Sequence, residues 1–323
     1  MADEPPTLPK PSSQFLSRLS KHPRTPTREL LQPYLSYEAW LRKTFARGDA
    51  GIDPFANLVP VYDGHESSFK IRNIDRKTAD DKKYLMPLRS YERQTDGEMA
   101  ITKDLREYKK NFRAFTHDWS NVVVAGSAAL LPLLPRPKDV GGDETVQKPL
   151  ETYYQRRANA SDIDIFLYGL DSDDAAIQRI IELEAVVRKN QKLLPNTGLT
   201  LRSKNAITFI SPKWPFRHVQ IILRLYKSIS EILTGFDVDC ACVAFDGNQV
   251  YSNPRGITAI ATRTNTIDLS RRSPSMTKTK MMMRKMKKKK KKKKTMKMKK
   301  KMKMKIVMRN MMKTKTEIIM RKL

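Results

Sequence analysis

The chain holds 323 residues, room for one large domain or two modest ones. Its formal charge is +29, but residues 276–323 alone carry 20 Lys and 3 Arg against one Glu, which leaves +7 for residues 1–275. The charge that would mark a nucleic-acid binder therefore belongs to the tail and not to the body. The longest apolar run, residues 122–135, is broken by Gly, Ser and Pro and is too short to span a bilayer. Residues 1–11 are acidic and Pro-rich, so no secretory leader is expected. Cys240 and Cys242 lie two apart in one extended run, too close for an ordinary disulfide. They make no metal set, and a reducing intracellular setting, cytoplasmic or nuclear, is the expectation.

Residues 1–27 are rich in Pro and Ser and are expected to form a disordered lead. Residues 28–104 form an N-terminal helical and extended region. It opens with a broken helical pattern over residues 28–47 (Leu30, Leu31, Tyr34, Leu35, Trp40, Leu41 and Phe45), continues through a turn-rich stretch at 56–70, and includes a charged loop at 75–93. Leu105, Tyr108, Phe112 and Phe115 stand at helical spacing within 103–119.

The character then changes. Residues 121–125 (N-V-V-V-A) predict a buried strand, Gly126-Ser127 a turn, and 128–134 a short helix stopped by Pro135. Residues 136–160 look like an inserted loop, and 161–168 (S-D-I-D-I-F-L-Y) a second strand. Asp171 or Ser172 can cap a helix over 173–190, with Ile177, Ile180, Ile181, Leu183 and Val187 as its apolar face. Short extended pieces follow at 198–203 and 206–211, then a strand at 217–225. A Ser-capped helix is expected at 228–234, and a strand at 236–245 turned by Asp246-Gly247. Strands alternating with helices predict an α/β (α+β) core over residues 105–268, a mixed sheet with flanking helices. No internal repeat of solenoid length is visible.

Residues 269–323 are expected to be a disordered polybasic tail. Residues 276–305 use only Lys, Met, Thr and Arg, and 13 of the 16 Met fall in residues 276–323. At face value such a tail binds phosphate backbones, hence nucleic acid. Met is a poor choice for a solvated tail, however, and GA-initial Asp and Glu codons read one base late yield Lys, Met, Thr and Arg. A frame-shifted acidic tract explains this alphabet.

Two pairs of acids stand at strand spacing. Asp162 and Asp164 lie two apart, so both side chains leave one face, and Asp237 and Asp239 repeat the pattern on the last expected strand. Clustered carboxylates raise one another's pKa unless a cation neutralises them, and Mg2+ ions would do so while bridging nucleotide phosphates. Gly126-Ser127 offers backbone N–H groups and a hydroxyl to a phosphate. Arg202, Lys204, Arg217 and Arg224 are basic residues available to balance its charge. Taken singly these features are ordinary. Acids alternate on many strand edges, Gly-Ser makes many turns, and His218, both cysteines and Trp40, Trp119 and Trp214 are most simply packing residues.

Gly126-Ser127, then Asp162-Ile163-Asp164, then Asp239 in F-D-V-D-C-A, resembles the motif order of the polymerase-beta-type nucleotidyltransferase superfamily. The resemblance, over residues 121–245, implies Mg2+ held by Asp162, Asp164 and Asp239. It also implies a nucleoside triphosphate whose phosphates meet Gly126 and Ser127, and transfer of a nucleotidyl group to a hydroxyl. Asp237 competes for the third place, and the motif match favours Asp239. Three features depart from the pattern: the long gap between Ser127 and Asp162, the extra segment and helix before the third Asp, and a tail where a helical substrate domain would stand. S-D-I-D-I-F-L-Y-G-L, R-H-V-Q-I-I-L-R-L-Y-K-S-I-S-E-I-L-T-G-F-D-V-D-C and D-L-S-R-R-S-P-S are also similar to a group of fungal proteins labelled ankyrin repeat proteins, although no ankyrin consensus is present. The rival to catalysis is a silent interaction or scaffold protein on the same fold. For the tail, the genomic DNA provides the test: if the codons of residues 276–305 do not become GA-rich in the neighbouring frame, the frame-shift explanation fails.

Overall fold

The structure is a computed structural model. It describes residues 12–21, 27–72, 97–113, 118–135, 161–194, 197–212 and 216–266, with a few isolated positions beside them. The loop at 75–93, most of the insert at 136–160, Trp214 and the tail lie outside the described residues.

Eight strands form one mixed sheet in the order β1-β8-β7-β2-β3-β6-β5-β4. They are β1 (Val59–Pro60), β2 (Val122–Ala125), β3 (Ile163–Tyr168), β4 (Leu199–Arg202), β5 (Ala206–Ile210), β6 (Val219–Tyr226), β7 (Val243–Phe245) and β8 (Val250–Ser252). The strand β3 runs parallel to β6, and every other pairing is antiparallel. The mixed α/β architecture expected from the sequence is thus the one observed.

Strand β2 takes a central place because it has no polar face. Val122, Val123, Val124 and Ala125 are all fully buried, as a β-branched run covered on both sides should be. Val122 and Val124 pack with Ile165 and Leu167 of β3 under helix α5 (Asp173–Asn190). Val123 and Ala125 pack with Phe166 and Ala244 under α6 (Ile229–Gly235). The two helices begin in the way the sequence predicts. Ser172 accepts a hydrogen bond from the Ala175 N–H, and Ser228 accepts one from the Glu231 N–H.

Four expectations need correction. The apolar face of α5 is formed by Ala176, Leu183 and Val187, while Ile177 and Ile181 are about half exposed. On the same helix Arg179 reaches Asp118, and Arg188 reaches Thr197 and Thr200. Second, the lead is not devoid of structure. Helix α1 (Ser12–Lys21) buries Phe15, Leu16 and Leu19, with Phe15 edge-on to Tyr34 of α2 (Thr27–Arg47). An apolar stripe at i, i+1 and i+4 outweighs a Pro- and Ser-rich composition once α2 offers it a surface. Third, the expected strand over 236–245 survives only as β7. The chain at Asp239–Ala241 is a 3-10 turn, which brings Asp239 inward. The expected helix over 103–119 is also shorter: α3 (Leu105–Phe112), capped by Asp104, ends where Arg113 adopts φ 52°. The short helix after Gly126 is α4 (Ser127–Leu133).

Helix α7 (Pro254–Thr262) was unassigned in the sequence. Asn253 caps it, Pro254 opens it, and every one of its residues is buried. It lies so close to β7 and β8 that a Cβ on Gly256 would stand 2.5 Å from Ser252 Oγ and 2.8 Å from the Cys242 carbonyl. This helix carries Arg255, only 2% exposed, which joins three parts of the fold. Its Nε donates to both carboxylate oxygens of Glu38 on α2 (2.9 and 3.0 Å). Its Nη1 donates to Asp239 Oδ1 (2.9 Å), and its Nη2 donates to the carbonyls of Leu233 (3.3 Å) and Phe236 (2.5 Å). Removing the guanidinium from such a buried set leaves two buried carboxylates without their cation. Arg255→Ala is expected to lower the unfolding free energy by about 3–5 kcal/mol, measured by urea denaturation.

Candidate functional site

The site grows from the meeting of three chain ends at one edge of the sheet. Strand β2 ends at Ala125, opposite Asp164 near the start of β3 and Ala244 of β7. Gly126 then turns the chain into α4 with φ +80° and ψ −144°, and its N–H donates to the Val243 carbonyl (2.9 Å). A side chain here would be strained by that φ and would also touch the Phe236 ring, 3.5 Å from its Cβ. Ser127, the first residue of α4, is hydrogen-bonded through its hydroxyl to the hydroxyl of Ser161. The expected neighbourhood of Gly126-Ser127 and the Asp-x-Asp strand is therefore present.

Arg217 fastens this edge. Its Nε donates to the Ser161 carbonyl (2.6 Å), and its Nη2 donates to Ser161 Oγ (2.8 Å) and to the Asp162 carbonyl (2.7 Å). The Ile163 N–H donates to the His218 carbonyl (2.9 Å), so the residue after Arg217 continues the same ladder. Alternation puts Asp162 and Asp164 on the face of Phe166, covered by α6. Gln220 of β6 stands directly opposite Asp164 on that same face.

Charge at this edge is finely divided. Burial first, and Asp162 second, push the Asp164 carboxyl up to about 6, with Arg217 pulling the other way. Burial lowers Arg217 from the usual arginine range, opposed by Asp162 and Asp164. Two acids and one guanidinium leave a net negative charge, which a divalent cation would neutralise.

Asp239 does not complete this pair. It is buried on the 3-10 turn with both oxygens committed, Oδ1 to Arg255 (2.9 Å) and Oδ2 to the Thr266 N–H (2.6 Å) and hydroxyl (2.5 Å). Among the described residues no three His, Cys, Asp or Glu side chains are grouped to hold a metal ion. Asp237, the other candidate, is half-buried just ahead of the turn.

Three of the four basic candidates lie elsewhere. Arg202 is register-paired with Ile207, Ile207 with Ile221, and Ile221 with Ile165. It therefore sits three strands from β3, roughly 14 Å away, and on the α5 face opposite Asp164. Lys204 is exposed in the β4–β5 turn, where the Leu223 N–H donates to the Asn205 carbonyl, toward the far end of β6. Arg224 is displaced by the bulge where β6 skips register, pairs with Glu231 (2.5 Å) and lies over the Tyr226 ring (4.8 Å). Arg217 alone of the four stands beside the Asp pair, bonded to the Asp162 carbonyl and acting on the carboxylates through its charge.

The sequence reading missed Ser161 and Gln220. Ser161 directly precedes the Asp pair, and Gln220 continues the alternation of R-H-V-Q, so both were visible as strand-edge polar residues. His218 is exposed and not packed, its Nδ1 accepting from the Ser211 N–H (2.9 Å). Cys242 is buried, and burial raises the Cys240 thiol above its ordinary value.

The raised Asp164 carboxyl has a signed consequence. An unfolded Asp titrates near ~3.9, so the fold favours the protonated form. The associated stability is complete below about pH 4 and is lost as pH climbs through about 6. Asp164→Asn should leave stability unchanged at pH 4 and raise it by up to about 2–3 kcal/mol at pH 8. Urea midpoints at the two pH values check this. Magnesium chloride should raise the wild-type midpoint at pH 8 and leave that of the variant where it was.

Residues 101–263, about half of the chain, match the Gabija anti-defense 2 (Gad2) family. That span contains α3 to α7 and every strand except β1. The chain is also similar to uncharacterized protein R883 of Acanthamoeba polyphaga mimivirus, at 35% identity over 124 residues, which are 35% of this chain and 27% of that protein. The chain thus spans about a quarter of the length of the curated relative it matches. With seven of the eight strands, α5, α6 and the whole Ser127–Asp164–Arg217 edge inside the matched span, the chain belongs to the Gabija anti-defense 2 family.

Proposed function

We propose that the protein is a Mg2+-dependent nucleotidyltransferase of the polymerase-beta type, which moves a nucleotidyl group from a nucleoside triphosphate to a hydroxyl acceptor. One observation carries this reading: Asp162 and Asp164 start β3 beside the Gly126-Ser127 turn, and Arg217 holds the two segments together through Ser161. Asp162 and Asp164 are the residues that would hold the cation. Mg2+ bound there would neutralise phosphate charge as it develops.

The chain's own residues do the rest. Ser127 and Ser161 present hydroxyls, and Gly126 lets the backbone come close to a phosphate. Arg217 keeps the Asp pair in place and offsets its repulsion. In the transfer, the acceptor oxygen bonds the α-phosphorus, the bond from that phosphorus to the bridging oxygen breaks, pyrophosphate leaves, and the hydroxyl proton passes to water. Catalysis of this kind rests on positioning and electrostatics. The family's description as anti-defense gives the transfer a direction, with a component of a defence system as acceptor. Among the described residues no helix is long and apolar enough to cross a membrane. An intracellular site of action, cytoplasmic or nuclear, goes with this reading.

A second reading is favoured by Asp239. With its oxygens spent on Arg255 and Thr266, a silent protein of the same fold, acting by binding a partner, explains the two-carboxylate edge as well. Label transfer from an α-labelled nucleoside triphosphate in the presence of Mg2+ separates the two. Transfer by the wild type, falling about 100-fold or more in Asp162→Asn and Asp164→Asn, supports catalysis. A wild type that neither transfers label nor gains thermal stability from any nucleoside triphosphate supports the silent protein. Nucleic-acid binding through the basic tail is a separate activity, detected as salt-sensitive RNA retention that disappears on deletion of residues 276–323.

A further inference from the structure

A cavity of about 120 Å³ opens between the end of α3, the body of α4 and the start of β3. Its floor is apolar, with Phe112, Leu131 and Ile163, and its polar groups are Asn111, Arg113 and Arg217. Ile163 points to the α5 face of the sheet, so the cavity lies on the opposite side from Asp164 and meets the carboxylate edge through Arg217 alone.

The two arginines have capacity to spare. Arg217 uses Nε and Nη2 on Ser161 and Asp162, and its Nη1 donates to no acceptor among the described residues. Arg113 is exposed at the mouth, held out by its left-handed backbone, and forms no ion pair among the described residues. Lys109 and Lys110 in the last turn of α3 add positive charge and outweigh the partial negative charge of that helix end. The Asn111 amide nitrogen donates to the Pro132 carbonyl (3.3 Å). A space of about 120 Å³ has room for a small oxyanion.

We propose that this cavity is a phosphate-binding site, with Arg113 and Arg217 as the ligands of the anion. It rests on the proposed function only through Arg217, which serves both faces. A cation on Asp162 and Asp164 withdraws their pull on Arg217 and frees its charge for the anion, so cation and phosphate bind with positive coupling. The phosphate could be free, as inorganic phosphate or released pyrophosphate, or it could be a phosphate group of a bound nucleotide.

Calorimetric titration of the full chain with sodium phosphate in EDTA tests the site itself. Arg113→Asn is the main variant, since Asn tolerates the left-handed backbone and keeps the N–H that bonds the Lys109 carbonyl. Leu131→Phe fills the cavity without altering charge. Saturable phosphate binding weakened at least ~10-fold in both variants, with unchanged thermal midpoints, is expected. Wild-type chain that binds no phosphate, or an Arg113→Asn chain that binds it as well as the wild type, overturns the site. The basic tail is common to all three proteins, so its contribution cancels in the comparison. Pyrophosphate and a nucleoside triphosphate, titrated in turn, identify the source: pyrophosphate binding at least as tightly as the triphosphate marks a free anion, and a triphosphate that binds more tightly, with both weakened in Arg113→Asn, marks the phosphate of a nucleotide. Repeating the titration with Mg2+ should tighten phosphate binding in the wild type and not in Asp164→Asn. A flat Mg2+ response combined with an intact Arg113 effect counts against the cation site and leaves the cavity standing.

Discussion

The fold depends on a single buried cation. Arg255 draws together a carboxylate from α2, a carboxylate from the 3-10 turn before β7, and two carbonyls at the end of α6. Burial alone would depress its charge, and the Cys242 thiol, Glu38 and Asp239 around it more than restore it. A planar guanidinium with five donors can meet these partners at once, which a lysine could not. Such a knot contributes little net stability over an apolar core of equal volume, but it specifies which elements must meet. It also links parts of unlike standing, because Glu38 lies outside the span matched by the family and Arg255 and Asp239 lie within it.

That knot bears on the candidate site at one remove. By holding the Phe236 carbonyl, Arg255 sets the chain that carries the Phe236 ring against Gly126 and Phe166. The ring walls the face on which Asp164 is buried, and that burial is the main reason its carboxyl resists ionisation. Asp239 thus shapes the site from behind. An acid that the motif order assigned to a cation belongs, in the folded chain, to an arginine.

Arg217 plays the corresponding part at the site itself. It is bonded to the successive carbonyls of Ser161 and Asp162, so it holds the strand start in place while its charge acts on both acids. A phosphate on one face of the sheet and a cation on the other would each alter the field that the other feels. Two faces of one strand end are in this way electrically joined.

The sequence by itself determined the elements whose signals are local. The β-branched run of β2, the alternation of β3 and the Ser-capped α5 and α6 follow from spacings within one or two turns of chain, whereas the meeting of Gly126-Ser127 with the Asp162 strand was expected only from the resemblance of their order to a known motif. Only the tertiary structure decided that α1 packs, that α5 turns Ile177 and Ile181 outward, that Arg202, Lys204 and Arg224 lie away from the carboxylates, and that Asp239 pairs with Arg255. Periodicity is written in neighbours a few residues apart, and it places a side chain on a face. What that side chain meets is set by strand order, by bulges and by partners such as Glu38 and Arg255, 217 positions apart, and no local pattern records such a distance.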